Sequence, residues 1–257
     1  MNPAIVDPLS RIPLKIWDEI VKKEPEWENM EIFLEKYGFG RFAVLMLAAG
    51  LNDFQLKGKA EVAYWPKMKE VLDGHGIPES AKDLEQILSK FYENERLPEL
   101  KLERLKRFLS SQLAKKLWNA SPDEVEGDFL RIWDELARAM RQEKEAKTIV
   151  FAMKCLGIAL LMAKRKNFCF EEIPIPVDIR VRNFTERLGV AVKSDDDVRM
   201  FWSRVLKELR KTVPINMIHL DSLIWQIGTL QRDEIVEYFA SFGLKDVGLE
   251  IAEMVRI

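Results

Sequence analysis

The sequence predicts an all-α protein built from short helices, and three observations carry that prediction. Apolar residues recur at three- and four-residue spacing along most of the chain, the period of one helix face. Proline or glycine cuts the pattern at intervals, where one removes a backbone donor and the other frees the backbone to turn. Strict alternation, the mark of a half-buried strand, is scarce.

Taken in order, the first amphipathic stretch is Leu14–Lys23, ended by Pro25. Trp27–Tyr37 stops at Gly38, and Phe39–Leu51 runs to a polar loop before Gly58. Trp65–Leu72 is closed by Gly74-His75-Gly76, and Ala81–Tyr92 follows. Leu100–Trp118 starts behind Pro98 and Glu124–Met140 behind Pro122, as helices do when proline sits in the first turn. Lys147–Ala163 is the most apolar stretch. Ile179–Leu188 lies between the Pro174-Ile175-Pro176 run and Gly189, and Asp195–Thr212 ends before Pro214. Leu220–Ile227 and Asp233–Phe242 complete the series, the latter closed by Gly243.

Composition bounds the function. The 257 residues suffice for one large domain or two smaller ones, and a hydrophobic share of 47% supports a normal core. The net charge of −2 gives the whole chain no attraction to nucleic acid, so any basic surface is local. The two cysteines, Cys155 and Cys169, read as lying in apolar surroundings and are too few for a disulfide framework. The only histidines, His75 and His219, are far apart, and no Cys/His cluster exists. Neither a zinc site nor a histidine triad is expected, and no metal ion or cofactor is assigned. The N-terminal stretch MNPAIVDPLSRIPLK lacks a charged-then-apolar signal. The longest apolar run, Ile149–Ala163, is interrupted by Lys154 and falls short of the ~18 residues of a membrane span. A soluble, intracellular (cytoplasmic, nucleoid-associated) protein with no membrane partner is expected.

Three residues stand out chemically. Lys147 opens the apolar helix behind the charged turn Glu143-Lys-Glu-Ala. A cation at the positive end of a helix is disfavoured, which favours a nucleophilic neutral amine; the alternative is a solvated lysine in a charged turn. Lys154 interrupts the same helix, and either reaches out along the surface or points inward to a specific acceptor. Asp178 follows the stiff Ile173-Pro-Ile-Pro-Val approach and opens a helix, where its carboxylate can accept the free amide hydrogens of the first turn. Capping and catalysis are compatible, because a cap holds the carboxylate rigid.

Together these features resemble the helix-hairpin-helix DNA glycosylase superfamily, and most closely its archaeal branch, the archaeal 8-oxoguanine DNA glycosylases. The stretches that carry the likeness are Lys147-Thr-Ile-Val-Phe-Ala-Met-Lys154, Ile173-Pro-Ile-Pro-Val-Asp178-Ile-Arg-Val and His219-Leu-Asp221-Ser-Leu-Ile-Trp225, with a weaker match at Leu56-Lys-Gly-Lys-Ala-Glu-Val-Ala-Tyr-Trp65. One departure is plain. The hairpin Arg141-Gln-Glu-Lys-Glu-Ala has no glycine, whereas most of the superfamily holds a phosphate, and often a metal ion, on glycine amides there.

The resemblance implies a bifunctional N-glycosylase and AP lyase that flips 8-oxoguanine from DNA, with Lys147 as nucleophile and Asp178 as the assisting carboxylate. It implies that Phe151 and Trp225 sandwich the base, the alternative for both being core packing. Asp221 and Lys154 would bond its edge, Trp65 would line the pocket, and Gln55 would touch base or DNA. Arg180 and Arg182 are the preferred phosphate contacts. Further basic residues cluster at Lys101, Arg104, Lys106, Arg107, Lys115 and Lys116, and at Lys164–Lys166. The implied architecture is two helical lobes with a cleft between them: residues 60–190, holding the hairpin, Lys147 and Asp178, and residues 1–59 plus 191–257, completing the base pocket. The implied partner is DNA containing 8-oxoguanine, double- or single-stranded, bound by a monomer. Two other readings compete: a non-catalytic helical DNA-binding or scaffold protein, and a glycosylase for a different damaged base. The adenine form with a four-cysteine iron–sulfur cluster is excluded by the two cysteines.

Overall fold

The computed structural model describes residues 3–256. Every regular element among them is helical, so the fold is all-α as expected. In chain order the helices are α1 (Val6–Ser10), α2 (Leu14–Lys22), α3 (Pro25–Tyr37), α4 (Phe39–Leu51), α5 (Trp65–Asp73), α6 (Ala81–Tyr92), α7 (Pro98–Leu109), α8 (Gln112–Leu117), α9 (Pro122–Gly127), α10 (Phe129–Met140), α11 (Lys147–Met162), α12 (Ile179–Arg187), α13 (Asp195–Leu209), α14 (Met217–Ile227), α15 (Arg232–Ala240) and α16 (Lys245–Met254). A π-turn, Ala60–Tyr64, leads into α5, and a single 3-10 turn, Phe170–Glu172, precedes α12.

Most expected stretches are single helices. Leu100–Trp118 is two, because the Ser111 side chain accepts a bond from the Ala114 amide at 3.1 Å and starts α8 afresh. Glu124–Met140 is likewise two, parted at Asp128. The terminal helices α1 and α16 were not foreseen. Cys169, expected in apolar surroundings, is exposed, while Cys155 is buried.

The chain packs as two units: everything up to Lys22 joined with everything from Phe170 onward, and Lys23–Cys169. The division therefore falls at 22/23 and 169/170 rather than at the 59/60 and 190/191 expected from sequence. The reason lies in α3 and α4, which pack on α11. The expected grouping of Lys147 with Asp178 is not the grouping by packing, for the two residues belong to different units.

In the Lys23–Cys169 unit, α4 and α11 form the central pair. Both are apolar on nearly every side, and both are buried, as helices lacking a polar face must be. They approach so closely at Gly50 that a Cβ there would lie 2.8 Å from the Ala152 Cα and from the Cys155 Sγ. In the other unit α14 is the buried centre, packed on α2, α12 and α13. Trp202 of α13 donates from Nε1 to the Thr185 hydroxyl of α12 at 2.8 Å.

Candidate active site

The hairpin between α10 and α11 turns without glycine. Arg141 takes the left-handed conformation itself, with φ 55°, so that the Gln142 amide reaches back to the Ala137 carbonyl at 3.0 Å. This is the usual helix stop, with arginine where glycine is favoured. The next residues are held from α10: Trp133 Nε1 donates to the Lys144 carbonyl at 2.7 Å, and the Lys144 ammonium sits 4.4 Å from the centroid of the same ring.

Arg104 of α7 fastens the hairpin from the other side. It donates to Gln142 Oε1 at 3.1 Å, to the Leu51 carbonyl at the end of α4 at 2.9 Å, and to Thr148 Oγ1 at 3.1 Å. The Thr148 hydroxyl in turn donates to Gln142 Oε1 at 3.2 Å. One guanidinium thus ties four elements at the spot where α11 begins. Arg104 and Lys101 are buried, so these members of the basic cluster face inward rather than toward a phosphate.

Lys147 is the first residue of α11 and its side chain is exposed. One turn on, Phe151 is half-buried, not a core residue. Lys154 takes the inward course: it is 1% exposed, its Nζ lies 3.1 Å from Glu24 Oε1, and it sits 5.7 Å from the Phe151 ring centroid. Trp65 is fully buried and donates from Nε1 to Asp53 Oδ2 at 3.0 Å. Burial pushes the Asp53 carboxyl up to about 6; the strongest opposing pull is the charge of Lys147, followed by the Trp65 hydrogen bond and the charges of Lys101 and Lys154. Glu26 is buried as well, and its Oε2 makes no hydrogen bond. Burial first, then the charge of Glu24, raise its carboxyl well above the usual range, against the pull of Lys154. Gln55 lies in the exposed loop beyond Asp53, with φ 48°.

Sequence reasoning missed Asp53, Glu24 and Glu26. Acids at the start of a helix are ordinary, and nothing in Glu24-Pro-Glu26 marks these two as buried. The usable signal was Lys154, since a lysine inside an apolar helix requires an acid to meet it.

The remaining candidates lie in the other unit. Asp178 caps α12, its Oδ1 accepting from the Val181 amide at 2.9 Å, and the residue is half-buried. Asp221 is buried on α14. Trp225, one turn further, is half-buried, and the Arg180 guanidinium lies 4.1 Å from its ring centroid. Arg182 is ion-paired with Asp195. Both arginines expected at phosphates thus have protein partners here. By unit, Lys147, Phe151, Lys154, Trp65 and Gln55 go together, as do Asp178, Asp221, Trp225, Arg180 and Arg182.

The first set offers a primary amine at the positive end of a helix, within the field of the Asp53 carboxyl that burial raises to about 6. It also offers a flat, half-exposed ring one turn away. Such a set can attack an electrophilic carbon beside a planar group held on that ring.

Comparison with known proteins gives a consistent picture. The AGOG family model, described as N-glycosylase/DNA lyase, matches residues 6–251. An N-glycosylase/DNA lyase of Methanopyrus kandleri is 29% identical over 206 residues, 79% of either chain. Another, from Thermococcus kodakarensis, is 30% identical over 194 residues, 72% of this chain and 67% of that one. The crystal structure of an 8-oxoguanine DNA glycosylase from Pyrobaculum aerophilum, complexed with 8-oxoguanosine, superposes with a TM-score of 0.72 over 97% of this chain and 94% of that one. At 20% identity, that last likeness is one of fold.

Proposed function

Since the chain belongs to the AGOG family of N-glycosylase/DNA lyases, and is thereby a DNA repair glycosylase, we propose that it excises 8-oxoguanine from DNA through an imine on Lys147 and then opens the strand. The observation that carries this reading is the placement of Lys147, an exposed amine heading the most apolar helix, one turn before a half-buried aromatic ring.

The damaged nucleotide must leave the stack before any side chain reaches its sugar, at a cost of a few kcal/mol. The Lys147 amine attacks C1′. The bond from C1′ to the base breaks, its electron pair leaves with the base, and the base takes up a proton. Opening of the sugar ring gives the imine between Lys147 and C1′. Loss of a proton from C2′ then expels the 3′ phosphate by β-elimination, and hydrolysis returns the amine. Asp178 supplies negative charge to the sugar as it becomes cationic, and its cap on α12 supports this role by fixing the carboxylate. Phe151 and Trp225 are proposed to stack on the base, each contact worth ~1–3 kcal/mol. Both rings being half-buried supports that over core packing. Trp65, Lys154 and Asp221 complete the base pocket, with Gln55 at its mouth. Arg180 and Arg182 take phosphates by exchanging their present partners, so affinity falls as salt rises.

The test is release of free 8-oxoguanine, measured apart from strand scission, on a duplex with one lesion. The native protein releases the base and leaves undamaged guanine in place. Asp178→Asn binds the duplex but loses about a hundredfold or more of base release. Native turnover in that variant, or release of a different damaged base alone, refutes the assignment.

A further inference from the structure

Asp53 lies just past the end of α4 and Lys147 heads α11, and one nitrogen holds the two segments together. Arg104 Nη2 donates both to the Leu51 carbonyl at 2.9 Å and to Thr148 Oγ1 at 3.1 Å. The neighbours of Asp53 are fastened as well. Asn52 Nδ2 donates to the Lys101 carbonyl at 3.0 Å, and the Phe54 ring centroid lies 5.4 Å from the Lys101 ammonium and 5.2 Å from the Arg104 guanidinium. Between them the half-buried Asp53 accepts from Trp65 at Oδ2, and its Oδ1 takes no hydrogen bond among the described residues. The charged and titratable groups that share its field are Lys147, Lys154 and Cys155 on α11, Lys101 on α7, Glu26 on α3, Tyr64 before α5 and Tyr92 on α6. Of the lysines, Lys147 acts on it most strongly. Burial still raises this carboxyl to about 6, which makes it a better base at neutral pH than an ordinary aspartate.

We propose that Asp53 takes the proton that Lys147 must lose before it attacks, accepting it on the oxygen that Trp65 leaves free. The inference rests on the imine chemistry proposed above and names the acceptor of one proton in it. Asp178 cannot serve both ends, because it must stay ionised to oppose the sugar cation. The ammonium N–H bond breaks with its electron pair left on nitrogen, and that pair forms the bond to C1′. Asp53 then yields the proton to the departing group, which is the base at a lesion and water at an abasic site. Below about pH 6 Asp53 is itself protonated and accepts nothing. In alkali the ammonium loses its proton to hydroxide without help. The contribution of Asp53 is therefore confined to the window between.

The experiment compares native protein with Asp53→Asn on an abasic duplex, in single turnover with protein in excess, from about pH 5 to about pH 10. The rate of covalent adduct formation is read by reductive trapping with cyanoborohydride. An abasic duplex has no base to release, so the rate reports the amine. Asparagine still accepts from Trp65 but takes up no proton. Near neutrality the variant forms adduct about tenfold or more slowly than native, while its affinity for the duplex stays within about threefold. The native-to-variant ratio shrinks below about pH 6 and again toward about pH 10. A merely structural role for Asp53 would instead give one deficit at every pH. Adduct formation at the native rate in Asp53→Asn, a deficit independent of pH, or a deficit traced to weaker DNA binding overturns the inference. If the native protein forms no adduct, or Lys147→Gln forms as much, the Lys147 chemistry itself falls, and this inference with it.

Discussion

At the scale of single residues, the site candidates are defined by what surrounds them. Lys154 is legible in the sequence as an intruder in an apolar helix, but its two courses, outward or inward, are separated only by the Glu24 carboxylate that meets it. That acid is 130 residues away in the chain, and no local pattern announces it. Asp53 shows the same limit. It reads as a turn residue in an Asn-Asp loop, yet it accepts from Trp65 and lies in the field of Lys147. Its carboxyl is raised from 3.8 to about 6, so the folded protein holds a proton there that the unfolded chain gives up. Stability linked to Asp53 is therefore present below pH ~4 and is lost as pH rises through about 6. Asp53→Asn keeps an acceptor for Trp65 and abolishes that loss. Urea denaturation should show it more stable than native near pH 7, on the order of 1 kcal/mol after discounting for partial exposure. A smaller native-to-variant gap at pH 7 than at pH 4 contradicts the sign.

At the scale of elements, helix positions were readable because period and breakers agree along the chain, with α3, α4 and α6 starting or stopping at their prolines, glycines or caps. The misses have local causes. The serine that restarts α8 lies inside a continuous apolar pattern, and the π-turn before Trp65 has no periodic signature. The hairpin is the element whose sequence departs most from its kind, since Arg141 adopts a left-handed backbone at φ 55°. Non-glycine residues pay about 1 kcal/mol there. Arg141→Gly should therefore raise stability by about 1 kcal/mol in urea denaturation while leaving the Arg104 fastening of Gln142 and Thr148 in place. A loss of stability would mean that the Arg141 side chain, rather than its backbone, holds the turn.

At the scale of the molecule, the all-α class followed from period, breakers and the scarcity of alternation, while the division into units did not, because α3 and α4 choose their partner by packing against α11 and nothing in their sequence names it. The near-neutral total charge of −2 is likewise silent about DNA, and part of the basic cluster that seemed to supply a local surface is spent inside, on Arg104 and Lys101. The candidate site residues divide between the two units, so motif order along the chain, and not any single stretch, is what marks them. The proposed repair chemistry turns on the Lys147 amine becoming bonded to a deoxyribose carbon. Borohydride reduction during turnover on an 8-oxoguanine duplex, followed by proteolysis and mass spectrometry of the trapped complex, tests that directly. One DNA-bearing peptide, modified at Lys147, is expected, and none from folded Lys147→Gln. An adduct on another lysine, or base release with no adduct at all, would contradict it.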